Sequence, residues 1–232
     1  MSDDALAPDS DLFLEQLAVG PMQNFVYVIG SRRTREVALI DPAWDVAAIV
    51  ERVEAQDLRP VAALVTHYHP DHVGGSFMGQ QIEGLADLLE LRGLKAHVHR
   101  DEVHGVKQLT GLSDGDIVKV GSGDTLRLGD VELEFLHTPG HTPGSQCFRV
   151  RDVLVSGDTL FLQGCGRVDL PGSDPDAMYA SLRKLAALPD DTVVYPGHQY
   201  SAEPHETLGA VRRMNPYLTI PSLETWRELM GR

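Results

Sequence analysis

Cysteine is nearly absent from this 232-residue chain. Cys147 and Cys165 are the two present, and neither sits in a Cys-x-x-Cys pair. A disulfide framework is excluded, and a reducing compartment fits. Long apolar runs are missing as well: no stretch of about 18 apolar residues occurs that could span a bilayer. The opening MSDDALAPDS has neither a basic region nor an apolar core of the secretory kind, so the expectation is a cytoplasmic protein with no membrane partner. Positive charge is scarce, with 20 Lys and Arg against 34 Asp and Glu and a net charge of -14. That balance repels a phosphate backbone and excludes nucleic acid as the expected partner.

What is present suits a folded, turn-rich protein. Hydrophobic residues make up 42% of the chain, with 22 glycines and 14 prolines placed as turn residues rather than as a linker. Residues 1–232 are therefore read as one domain, with the oligomeric state, monomer or homodimer, left open. Apolar runs ended by turn residues predict strands over 11–19, 24–30 and 36–41, followed by a helix over 45–56 with Val46, Ile49, Val50 and Val53 at helical spacing. The run 61–67 reads as a buried strand, 74–93 as a helix and 96–100 as a strand. Four strands over 124–128, 131–138, 145–150 and 152–158 form a meander. A helix over 174–188, capped by Asp174, precedes a strand over 192–198 and a helical stretch from near His205. Two β-rich halves, each covered by helices, predict a four-layer α+β arrangement.

The chemistry concentrates in THYHPDHVGG, residues 66–75, where His67, His69, Asp71 and His72 occupy six positions at the end of an apolar run. On extended backbone, residues two apart point the same way, so His67 and His69 can face one ion. Pro70 then bends the chain and sends Asp71 and His72 elsewhere. The spacing suits two adjacent ion sites. Imidazole and carboxylate donors without thiolate fit zinc, iron or manganese and argue against a closed structural zinc site. Other histidines, His97, His99, His104, His137 and His205, are read as ordinary strand or surface residues. Cys147 and Cys165 are read as small buried ones.

His-x-His-x-Asp-His resembles the hallmark of the metallo-β-lactamase superfamily. HTPGHTPGS with His141, GDTLF with Asp158 and YPGHQY with His198 follow in that family's order. The resemblance implies the αβ/βα sandwich with two divalent ions at one edge. His67, His69 and His141 would hold the first, Asp71, His72 and His198 the second, with Asp158 bridging and Asp71 also orienting the attacking water. Gly-Cys-Gly at 164–166 is similar to the glyoxalase II thioesterases and the persulfide dioxygenases of the same family. Arg167, Val168 and Asp169, together with a short stretch after His198, resemble the persulfide dioxygenases and the short-type glyoxalase II relatives alike. Arg167, Tyr200 and Arg212 are the residues expected to grip a glutathione-linked small molecule, because guanidinium binds carboxylates in bidentate fashion.

The resemblance implies a glyoxalase II-like thioesterase that uses water activated by the metal pair. Its alternative is a persulfide dioxygenase with a single ferrous ion at His67, His141 and Asp158. A metal-binding sensor or scaffold without turnover stands third.

Overall fold

The computed structural model describes residues 11–77 and 79–230; the N-terminal segment read above for targeting lies outside them. The first half of the chain runs β1 (Leu12–Val19), β2 (Asn24–Ser31), β3 (Glu36–Ile40), α1 (Val46–Ala55), β4 (Arg59–Leu64), α2 (Pro70–Val73), β5 (Gly75–Phe77), β6 (Gln80–Ile82), α3 (Leu85–Arg92), β7 (Ala96–His99), α4 (Val103–Thr110) and β8 (Ile117–Val120). The second half runs β9 (Thr125–Leu128), β10 (Val131–His137), β11 (Gln146–Val150), β12 (Val153–Gly157), α5 (Pro175–Ala186), β13 (Val193–Pro196), β14 (Glu206–Thr207), α6 (Leu208–Met214) and α7 (Leu223–Leu229). Strand order is β1-β2-β3-β4-β7-β8 in one sheet and β14-β13-β12-β11-β10-β9 in the other.

Side-chain alternation explains how the layers stack. β2 is buried from end to end. Its Val26 and Val28 pack with α1, α3 and α4, whereas Phe25, Tyr27 and Ile29 face the second sheet. β3 and β4 divide in the same way: Val37, Leu39 and Ala63 lie toward the helices, and Ala38, Ile40, Ala62 and Leu64 toward the other sheet. From the second sheet, Leu133, Phe135, Val153 and Val155 complete the middle core. Leu154 and Val194 turn outward onto α5, α6 and α7. A strand covered on both faces has no polar side, which is why these runs are continuously apolar. Three apolar layers between four structural layers give the αβ/βα sandwich.

Capping fixes the two long helices where the sequence predicts them. The Asp45 side chain accepts from the Ala48 amide at the start of α1. Asp174 accepts from the Asp176 and Ala177 amides at the start of α5, with Pro175 at the first helical position. Both helices connect parallel strands, β3 to β4 and β12 to β13.

Three expectations are corrected. Residues 74–93 are not one helix, because Gly74 (φ 82°) and Gly75 (φ 109°) leave helical space and open the β5–β6 hairpin, and α3 starts at Leu85. α4 and β8 were not anticipated. The helix expected near His205 begins at Leu208, after the short strand β14, with Thr207 accepting from the Ala210 amide.

Candidate metal centre

The loops following β4, β10, β12 and β13 meet at one edge of the sandwich. Asp41, one residue past β3, accepts from the Thr66 amide (2.7 Å) and the Thr66 hydroxyl (2.5 Å), and so pins the chain at the end of β4. His67 and His69 follow on extended backbone. The Nδ1 of His69 stands 3.1 Å from Nε2 of His67 and 3.0 Å from Nε2 of His141. The single turn of α2 then swings Asp71 and His72 toward His198. Nε2 of His72 lies 3.2 Å from Nε2 of His198, and Asp71 Oδ2 lies 3.4 Å from each. His67, His69 and His141 form one group of converging donors, and Asp71, His72 and His198 form a second. Asp158 stands between them: Oδ2 is 3.4 Å from His198 and 3.7 Å from His141, and Oδ1 is 3.5 Å from His72.

Outer hydrogen bonds decide which nitrogen faces inward. His72 Nδ1 donates to Asp41 (2.9 Å), His141 Nδ1 to the Arg167 carbonyl (2.8 Å), and His198 Nδ1 to the Met22 carbonyl (3.0 Å). Thr66 gives its own proton to Asp41 and so accepts from His67 Nδ1 at 3.0 Å. With those protons outside, the Nε2 atoms of His67, His72, His141 and His198 turn inward, toward one another and toward His69 Nδ1. Asp158 Oδ1 is buried without a hydrogen-bond partner. Converging imidazole nitrogens around a partnerless carboxylate oxygen are the signature of a cation site, and the all-nitrogen-and-oxygen set fits zinc, iron or manganese.

The electrostatics agree. Burial opposes charge on His72, but Asp71, Asp158 and Asp41 overcome it and push the imidazole up to about 10. Burial also works to raise the Asp158 carboxyl, yet His72, His198 and His141 hold it well below the usual carboxylate range. Burial and the neighbouring imidazoles push His69 down to about 4. The acidic end of the pocket favours positive charge, and the three-histidine end favours neutral ligands.

Residues 19–198 match the family model described as Metallo-beta-lactamase superfamily. The chain belongs to the metallo-β-lactamase superfamily. Among its relatives, the human mitochondrial persulfide dioxygenase ETHE1 is 31% identical over 226 residues, covering 95% of this chain and 81% of that protein. The hydroxyacylglutathione hydrolase of Aeromonas hydrophila is 35% identical over 178 residues, covering 77% and 62%. The crystal structure of ETHE1 from Myxococcus xanthus superposes with a TM-score of 0.79 at 29% identity, covering 95% of this chain and 90% of that one. Both reaction types named by the sequence are thus represented in the superfamily around this chain.

The expected substrate residues separate. Tyr200 lies on the His198 ring, with centroids 4.7 Å apart and planes at 9°, and borders the cavity over the centre. Arg167 borders it too, with its guanidinium engaged by Asp169 at 2.8 and 2.9 Å. Arg212 is not brought there. Its guanidinium is held by the Ala186 and Leu188 carbonyls at the end of α5 and by Asp190. Cys165 borders the cavity, and burial pushes its thiol up to about 12, which disfavours the reactive thiolate. His99, Asp101 and His137 also cluster, yet the two rings are stacked at 4.0 Å and 12°, and parallel planes share no point for an ion.

Several residues of the site escaped the sequence reading. Asp41 had a usable signal, a carboxylate ending an apolar strand. Asn24 had none: its side-chain amide donates to Asp71 Oδ2 (2.9 Å), while its oxygen accepts from Trp44 Nε1 (3.1 Å). Glu102 is buried and accepts from the Tyr68 amide (2.7 Å) and the Gly144 amide (2.6 Å), tying the loop of His67 and His69 to the loop of His141. Gly197 leaves room for Asp158, since a Cβ there would stand 2.2 Å from Oδ1.

Proposed function

We propose that this protein is a metal-dependent hydrolase that cleaves a thioester of a small thiol, glutathione or a similar carrier, acting as a single domain in the cytoplasm. The observation that carries the reading is the pair of complete three-residue donor groups with Asp158 between them. His67, His69 and His141 would hold one ion, Asp71, His72 and His198 the other, and Asp158 would be shared. Two divalent ions bound in this way polarise a carbonyl and lower the pKa of water to around 7. The chain's own residues do the rest. Asn24 fixes the Asp71 carboxylate, which orients the water that attacks the acyl carbon. Arg167 offers a guanidinium to a carboxylate on the thiol carrier, at the cost of its bond to Asp169. Oxygen bonds to the acyl carbon, the carbon–sulfur bond breaks, and sulfur leaves as the thiol with a proton from water.

A second reading is favoured by coverage, because the chain spans 81% of the human persulfide dioxygenase and 62% of the hydroxyacylglutathione hydrolase. It uses one ferrous ion at His67, His141 and Asp158. His72→Ala and His198→Ala separate the two: both should lose metal and thioester turnover if the hydrolase reading holds, and both should keep much of an oxygenase activity if it does not. Zinc-loaded and iron-loaded protein would be assayed for S-D-lactoylglutathione cleavage and for oxygen uptake with glutathione persulfide. Iron-dependent oxygen uptake with no thioester cleavage by either form would overturn the first reading.

A further inference from the structure

The cavity above the donor groups has a volume of about 520 Å³. Its polar floor consists of His69, Asp71, His141, Asp158 and His198, all committed to the centre. Its walls are of another character. Met22, Tyr68, Phe77, Phe161, Leu170 and Tyr200 border it; Phe161 and Leu170 come from the connection between β12 and α5, and Phe77 from β5. Phe161 and Tyr200 meet edge to face at 5.1 Å, and Phe161 also stands against the His198 ring at 6.1 Å. Phe77 comes from the β5–β6 hairpin, so the hairpin supplies a wall of the site.

One cationic side chain among the described residues, Arg167, borders this space, in bidentate contact with Asp169. A hydroxyacyl group brings a hydroxyl that needs a polar partner, and Phe77, Phe161 and Leu170 offer none. An apolar acyl group instead exchanges water for ring faces and edges, which is the favourable transfer. We propose that the substrate is a thioester whose acyl group is apolar and bulky, aromatic or medium-chain, lying against Phe77, Phe161 and Tyr200. This rests on the hydrolase reading and names its substrate class. The reaction balances as before: water adds its oxygen to the acyl carbon, the carbon–sulfur bond breaks, and the products are an apolar carboxylic acid and the free thiol.

The test holds the thiol constant and changes the acyl group. Zinc-loaded protein is given lactoyl, phenylacetyl and octanoyl thioesters of glutathione, and the same acyl groups on N-acetylcysteamine, and kcat/KM is measured for each. A single methylene in an apolar pocket changes kcat/KM by about tenfold or more, so the apolar acyl groups should exceed lactoyl by about 100-fold on both carriers. Phe77→Ala should shrink that ratio by about tenfold, with circular dichroism confirming the fold, and Phe77→Leu should restore part of it. Equal rates, or a preference for lactoyl, would overturn the substrate class while leaving the hydrolase reading in place. Failure to cleave any of the thioesters would overturn both.

Discussion

Glu102 shows how much one carboxylate can do without touching substrate. It is 1% exposed, and its two oxygens each take a backbone amide from a different histidine loop. Glu102→Ala strands both amides in a buried place, at about 1–3 kcal/mol for each unsatisfied group. Apparent zinc affinity should fall by about 10- to 100-fold, the usual size for losing a group that positions ligands. Competition with a chromophoric chelator measures the affinity, and melting of the metal-free protein measures the stability; Glu102→Gln, which keeps one acceptor oxygen, should recover part of each. His99 predicts a pH effect instead. Burial and the stacked His137 lower its imidazole to about 4, with Arg100 adding to the shift and Asp101 and Asp124 opposing it. The unfolded value is about 6.5, so between those limits the unfolded chain binds the additional proton. This contribution to stability is complete above pH 6.5 and is lost as the pH falls toward 4. With chelator present throughout, His99→Asn should lose less Tm than the wild type between pH 7 and pH 5.

The β5–β6 hairpin is the element on which sequence and structure part. Ile82, Leu85, Leu88 and Leu89 carry a helical spacing, but the segment is ruled by a contact that spacing does not display: Gly84 lies on Gly74, and a Cβ at 84 would stand 2.5 Å from Gly74 and 2.2 Å from the Val73 carbonyl oxygen. Gly84→Ala should cost about 1–3 kcal/mol in urea unfolding, as overpacking does, and should raise KM for thioester because Phe77 and α2 move with it. Elements whose signals are local were legible. Buried strands declare themselves as apolar runs, α1 as apolar periodicity and α5 as a helical stretch behind the Asp174 cap. α4 was not legible, since it has two buried valines and Gly105, whose bare Cα admits the Tyr68 ring, and that fit exists only after β4 and α4 have docked. The same division holds for the site. Motifs named the seven converging residues, whereas Asn24, Asp41 and Glu102 act across the fold. Arg212 read like a substrate arginine until α5 placed its terminal carbonyls within reach, the groups a helix end leaves open.

Across the whole molecule the donors are divided between the sheets: His67, His69, Asp71 and His72 follow β4 in one, while His141, Asp158 and His198 follow β10, β12 and β13 in the other. Bound ions would therefore fasten the two halves together, beyond the Phe25 amide on the Gly197 carbonyl (2.8 Å) and the Tyr27 hydroxyl on the Pro196 carbonyl (2.5 Å). Chelation should lower Tm, and zinc or ferrous ion should restore it; an ion present at a hundred times its Kd contributes about 2.7 kcal/mol. A melting curve unchanged by chelator would count against the assignment. The division between sheets also has a meaning in time. A chain emerging residue by residue has made every donor of the three-histidine group once His141 is out, and Asp158 follows with β12. The other group waits for β13 to deliver His198 beside Asn24. The centre is thus completed in sequence, and the three-histidine group has all its donors while the group of Asp71 and His72 still waits for His198.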